Sequence, residues 1–265
     1  MTFSQKKVLY SIINKMRSPI TLAVFATTKG HFDHRNIYKS TINDLFNQVG
    51  RNFFADNVVH IKREAGDETI FSEMSEFFSS HGFNILVSHG SWKHYDQSHY
   101  IEHAKDVITL MSNQLVQRNQ YVFWLEDDFL LRTVNDDLLA AFKKSVSLLE
   151  SNPNILNVRF LKNQADTELL QDYRNETYEI FSHNDVFSFN PSLLRSRDAW
   201  LLAKGFKTYY FNNTHIHIER FATEVLKSIP FETKGIFSSF QLDYAKAVHI
   251  GEKWWTPEVE KTIKF

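Results

Sequence analysis

The stretch FWLEDDFLL, Phe123 to Leu131, sets an apolar run against three adjacent carboxylates, Glu126, Asp127 and Asp128. With Tyr121 and Val122 before it, the run reads as a buried strand whose carboxyl end emerges into an acidic turn. Neighbouring negative charges repel, and burying one of them unpaired is costly. A divalent cation with oxygen ligands would hold the three together. An ordinary acidic turn, with Asp136 and Asp137 further along, is the plainer reading. The stretch alone leaves both open.

On either side of it, strand and helix patterns alternate. Ile20 to Ala26 reads as a buried strand, followed by the polar turn TTKGHFDHR and a helical pattern through Val49. Asn57 to Lys62 and Asn84 to Ser88 read as strands, with a helix over Glu68 to Ser80 between them. A long helix is expected from Tyr100 to Arg118, and another from Asp136 to Ser151. NILNVRFLKN supplies a further strand, and DVFSFNPSLLRSRDAW reads as strand, turn and capped helix. YAKAVHIGEKWW contains a last strand finishing in His249. Such alternation builds a mainly parallel α/β sheet with helices on both faces. Ligands of these sheets sit at the carboxyl ends of the strands, where TTKG, KREAGDE, SHGSW and EDD all fall.

Composition narrows the function classes. The chain has 265 residues, 43% hydrophobic and 15% aromatic, enough for a substantial core. Lys plus Arg number 30 against 31 for Asp plus Glu, so the basic excess of a nucleic-acid binder is missing and no nucleic-acid partner is expected. Without cysteine there is no disulfide framework, zinc-thiolate site or cysteine nucleophile. No apolar run reaches the roughly 18 to 20 residues of a membrane span, and the amino terminus lacks the apolar core of a signal peptide. A cytoplasmic location is the expectation. Within SQKKVLYSIINKMR, Val8, Leu9, Ile12, Ile13 and Met16 fall on one helical face beside Lys6, Lys7, Lys15 and Arg17. Residues 1–17 are therefore expected as an amphipathic helix, docked on its own domain or, through residues 4–17, lying peripherally on an anionic membrane.

The layout resembles the metal-dependent glycosyltransferases of the GT-A fold, whose nucleotide-sugar domain ends its fourth strand in an Asp-x-Asp-type motif. WLEDDF looks like the Glu-Asp-Asp version of that motif. ITLAVFATTKGHFDHRNIYKSTINDL is similar to the family's first strand, nucleotide turn and helix. GDET is similar to its Ser-x-Asp-x-Thr after the second strand, and AVHIG matches the position of a metal-site histidine. The resemblance spans roughly residues 18 to 255. It departs from the processive pattern, since Gln-x-x-Arg-Trp is missing and HIERF is a loose counterpart of the catalytic Glu-Asp motif.

The resemblance implies a GT-A-like, Rossmann-type mixed sheet flanked by helices, as a single domain over residues 1–265. It implies transfer of a sugar from a nucleotide-sugar donor, a UDP-sugar first, to a glycan or other hydroxyl acceptor, with inversion. A leaving diphosphate gains charge as the glycosidic bond breaks, and a divalent cation offsets it. Mn2+ (or Mg2+) suits a mixed shell of carboxylate, imidazole and phosphate, with Asp128 and His249 as the protein's ligands. Glu126 and Asp127 are then expected toward the ribose or a metal-bound water. Thr27, Thr28 and Lys29 are expected at the nucleotide, and Lys62 near its base. Glu219 in HIERF is the expected general base, with Glu224 as fallback. Trp254 and Trp255 are expected either to stack on a sugar or to be ordinary buried aromatics.

Two rival classes remain. His215 and His217 are spaced as His-x-His, which a metal-dependent phosphohydrolase would use, though His-Ile-His-Ile is also ordinary strand alternation. A sugar-binding module on an inactive transferase scaffold is the non-enzyme alternative. Acidic and histidine metal positions weigh against it.

Overall fold

The computed structural model describes residues 18–28, 37–90, 105–133, 137–153, 155–160, 180–183, 191–201, 203, 238–242 and 245–249. Its first half is a parallel α/β unit. Strands β1 (Ile20–Thr27), β2 (Asp56–Glu64), β3 (Asn84–Gly90) and β4 (Tyr121–Glu126) are joined in the order β3-β2-β1-β4, all parallel. Helix α1 (Ile37–Val49) links β1 to β2, and α2 (Glu68–Ser80) links β2 to β3. β5 (Phe129–Thr133) follows two residues after β4, and α3 is Leu138–Ser151. Four further strands complete the order: β6 (Ile155–Arg159), β7 (Ile180–His183), β8 (Ser192–Arg195) and β9 (Ser238–Leu242). The eight-stranded sheet runs β3-β2-β1-β4-β8-β6-β9-β7. It is mixed: β8 is antiparallel to both β4 and β6, β9 is parallel to β6, and β7 is antiparallel to β9. A separate two-stranded sheet pairs β5 with β10 (Ala245–His249), antiparallel.

The sheet is apolar on both faces, so its strands read as unbroken hydrophobic runs. On one face Leu22, Val24, Val59, Ile61, Phe123 and Leu125 pack under α1, α2 and α3. Aromatic edges fill this layer: Phe123 meets Phe142 of α3 at 4.8 Å and Phe160 at 5.1 Å, both T-shaped. Tyr38 of α1 meets Phe77 of α2 edge-on at 5.3 Å. On the other face Ala23, Phe25, Val58, Val122 and Trp124 pack against Val107, Leu110 and Ala199 from short helical segments.

Local chemistry sets several boundaries. Asp137 caps α3, its side chain accepting from the Ala140 amide at 2.8 Å. At the end of α2, Gly82 takes φ +78°, a left-handed conformation that glycine adopts at little cost, and Phe83 folds back to donate to Phe78 O at 3.0 Å. The expected long helix over Tyr100 to Arg118 is interrupted. Its helical residues 105–111 end at Ser112, and Asn113 starts a new turn, Gln114–Gln117, by accepting from the Leu115 amide at 2.9 Å. SLLR, expected within a turn and helix, is instead strand β8, and helical residues begin at 196. Among the described residues no helix is long and apolar enough to cross a membrane. The amino-terminal amphipathic segment lies outside the described residues.

Candidate functional site

The strand order reverses between β1 and β4. From β1 the chain steps outward to β2 and β3, then returns to the other side of β1 as β4. In sheets of this kind, ligands bind outside the carboxyl ends of the strands at such a switch point. The two polar turns singled out in the sequence meet here. The Thr27 amide donates to Asp127 Oδ2 at 3.4 Å, and the Asp127 amide donates to Phe25 O at 3.0 Å. Asp127 is thereby drawn inward to 5% exposure, while Glu126 and Asp128 on either side stay half-buried.

The turn after β1 is also tied to β2. Thr28 is fully buried; its hydroxyl donates to Asp67 Oδ2 at 2.8 Å and accepts from the Glu64 amide at 2.9 Å. Its own amide donates to Lys62 O at 3.0 Å. Asp67 reaches Thr28 because Gly66, at φ +92°, turns the chain sharply between β2 and α2. Asp67 of GDET and Thr28 are thus one hydrogen-bonded unit with the end of β2, in which the Thr28 hydroxyl joins the two.

Lys62, expected near the nucleotide base, lies in β2. Its backbone is level with Thr27 in the sheet, but its side chain turns to the second face and is 1% exposed. There its ammonium lies 3.5 Å from Asp106 Oδ2, and His60 Nε2 lies 3.6 Å from Asp106 Oδ1. Burial pushes the His60 imidazole pKa down; Asp106 opposes that shift and Lys62 reinforces it. The Phe25 ring stacks on His60 at 5.7 Å and on Trp124 at 6.4 Å, walling off this cluster from β4.

Tyr38 was not singled out in the sequence. It is 1% exposed on α1, and its phenol is pushed up to about 12, first by burial and then by the negative charges of Glu73 and Asp127. Tyr38 therefore belongs to the electrostatic surroundings of the acidic turn. Its place in the helical run IYKS gives no local sign of this.

β10 brings the expected histidine to the same region. In the β5–β10 register His249 is the Cα partner of Phe129, the residue after Asp128. Among the described residues no three His, Cys, Asp or Glu side chains form a ready metal cluster. The donor chemistry nevertheless fits a hard divalent cation: two adjacent carboxylates lie on a tight turn, with a histidine backbone one residue away across a strand pair. Lys29, His215, His217, Glu219, Glu224, Trp254 and Trp255 lie outside the described residues.

No family model matches the chain, and no curated protein matches it significantly in sequence. Solved structures do match. One is GalNAc-T7, crystallised with UDP, GalNAc and Mn2+, at 10% identity and a TM-score of 0.53. The match covers 89% of this chain, which spans 44% of the length of that protein. A second, mannose-1-phosphate geranyltransferase from Thermus thermophilus, aligns over 87% of this chain and 76% of its own at 10% identity, with a TM-score of 0.45. The first match shows the fold: a GT-A-like mixed sheet flanked by helices.

Proposed function

We propose that the chain is a nucleotide-sugar-dependent glycosyltransferase acting through the crevice between β1 and β4. The observation that carries this reading is the meeting of Thr27 and Asp127, which puts a polar turn and an acidic turn on one crevice at the switch point of the sheet. The fold likeness to a protein crystallised with UDP, GalNAc and Mn2+ supports a UDP-sugar as donor.

In this reading Asp128 and His249 hold a divalent cation, Mn2+ or Mg2+, which when bound offsets the charge gathering on the leaving diphosphate. Asp127, fixed by the Thr27 amide, orients the turn, and Glu126 faces the ribose. Thr27, Lys29 and the backbone of Thr28 line the nucleotide, and Lys62 shapes that wall from its buried pair with Asp106. Glu219 accepts the proton of the acceptor hydroxyl as that oxygen attacks the anomeric carbon, which inverts its configuration. Trp254 or Trp255 covers a sugar face. The acceptor is a glycan or glycoconjugate, and the whole chain, 1–265, works as one domain.

Incubating the protein with several nucleotide sugars and manganese, and following release of nucleoside diphosphate with and without hydroxyl acceptors, tests the reading. Diphosphate release from one donor class, accelerated by an acceptor, is expected. Donor binding without any turnover points instead to a sugar-binding module.

A further inference from the structure

β3 has the composition of an interior strand but stands at the edge of the sheet. Its sequence, NILVSHG, contains no Lys, Arg, Asp, Glu or Pro. Ile85 packs on the core layer under the helices and Leu86 on the layer behind the sheet, so the strand is apolar on both faces. That pattern suits a strand with a neighbour on either side. Among the described residues, however, β3 pairs with β2 alone and ends the eight-stranded order. None of its seven residues is buried.

Edge strands usually block further pairing with a charge, a proline or a bulge, because their outer N–H and C=O groups are a template for another strand. β3 has none of these devices. Its register with β2 runs from Asn84 opposite Val58 to Gly90 opposite Glu64 without a shift. Val87, the middle residue, is 43% exposed, one of two large apolar side chains left so open among the described residues. Asn84 and His89, toward the two ends, are exposed as well. The strand is thus accessible over a length of about 24 Å.

A second copy of the same strand fits this edge. A two-fold axis through Val87, normal to the sheet, sets two β3 strands antiparallel and keeps each core face continuous. Val87 then faces Val87, Leu86 faces Ser88, Ile85 faces His89 and Asn84 faces Gly90. Opposed residues share a face, so the two Val87 side chains cover each other. Leu86 and Asn84 meet smaller residues, and no like charges are opposed while His89 is neutral. The pairing uses up the β3 edge of both copies, so assembly closes at two. We propose that the chain forms a two-fold dimer through antiparallel β3–β3 pairing, which joins two sheets into one. A seven-residue pairing buries less than the roughly 1,200 Å2 of a standard interface, so the association is weak and reversible. The proposal does not require the transferase reading, because β3 shares no residue with the crevice between β1 and β4.

Sedimentation velocity of the full chain across micromolar concentrations reads the association. The wild type is expected to move from monomer toward dimer as concentration rises. Val87→Lys sets two ammonium groups face to face and should raise the dissociation constant by at least about 10-fold. Its melting temperature at low concentration should stay close to that of the wild type, because Val87 is exposed. The chain has no cysteine, so Val87→Cys introduces a single thiol. Opposed Cα atoms of an antiparallel pair lie about 4.5 to 5.5 Å apart, within the reach of a disulfide. Mild oxidation of Val87→Cys should therefore give a covalent dimer much faster than oxidation of Ser79→Cys, an exposed position near the end of α2. A monomer at every concentration, assemblies that grow beyond two, association undiminished by Val87→Lys, or equal crosslinking at both positions overturns the proposal. A monomer whose Val87→Cys thiol resists alkylation would show instead that another part of the chain covers this edge.

Discussion

The Thr27 amide donates to the Asp127 carboxylate at 3.4 Å, although the two residues stand 100 positions apart. The contact couples the first polar turn to the acidic turn, and the charge it holds in place is felt by Tyr38. Asp127→Asn keeps an acceptor for Thr27 but removes that charge. The Tyr38 pKa should then fall from about 12 while staying above the usual tyrosine value, because burial is its largest cause. Titration of ring-labelled tyrosine by carbon NMR reads this directly. An unmoved Tyr38 would place its hydroxyl away from the turn.

The buried cluster behind β2 makes the fold acid-sensitive. His60 faces Asp106 and Lys62 and stacks on Phe25. Its folded pKa is lowered chiefly by burial, so the neutral ring's contribution is complete above about pH 6.5 and is lost as pH falls through the folded pKa. His60→Phe keeps the stacking and removes the titration. Below about pH 6.5 the wild type should lose stability more steeply than the variant, by at most about 1.4 kcal/mol per pH unit. Parallel urea-denaturation curves across that range would contradict this.

Removing Asp106 should be more damaging than removing His60, because it takes a carboxylate away from the buried Lys62 ammonium. Asp106→Asn is expected to cost about 3 to 5 kcal/mol, the usual penalty for breaking a buried pair. A loss below about 1 kcal/mol in denaturant melts would mean that Lys62 finds water.

Arg195 joins β8 to the end of α3 through the Leu149, Asn152 and Ile155 carbonyls, and also pairs with Asp198. Burial raises the Asp198 pKa, and the Arg195 guanidinium pulls it back down. Arg195→Ala should therefore destabilise the fold by about 2 to 4 kcal/mol, with several carbonyls and a largely buried carboxylate left unpaired. Arg195→Lys should recover only part of this, since an ammonium lacks the guanidinium fork. Equal melting temperatures for the Lys variant and the wild type would show that the fork is dispensable.

Much of this architecture is legible in the sequence. The apolar runs of β1 and β4 and the spacing of α2 are strong local signals, and α2 occupies the expected Glu68–Ser80. Polar residues at the ends of two apolar runs mark the places where Thr27 and Asp127 come together. What was missed depends on distant partners. Phe129 to Thr133 is a short run whose only strand partner among the described residues, β10, lies over a hundred residues later. Leu193 and Leu194 suit a helix as well as a strand, and their place between β4 and β6 decides for strand. Asn113 breaks the expected long helix through a side-chain cap, which its identity allows but does not require. The burial of Lys62 beside Asp106 depends on the sheet register and on a helix over forty residues later, which no local pattern announces.

If Glu219 is the base of the proposed transfer, Glu219→Gln should keep donor binding and lower transfer by roughly 10²- to 10⁴-fold. Single-turnover assays with a responsive acceptor would show it. Near-normal transfer would shift the role to Glu224 or point to a retaining route.

The most direct measurement is calorimetry of UDP binding in the presence of manganese and in chelator, on wild type, Asp128→Ala and His249→Ala. The account predicts that wild-type binding depends on manganese. It also predicts that Asp128→Ala loses that dependence with its fold intact, and that His249→Ala loses less. UDP bound equally well in chelator, or a manganese dependence undiminished in both variants, would reduce the Glu126-Asp127-Asp128 turn to an ordinary acidic turn and contradict the proposed function.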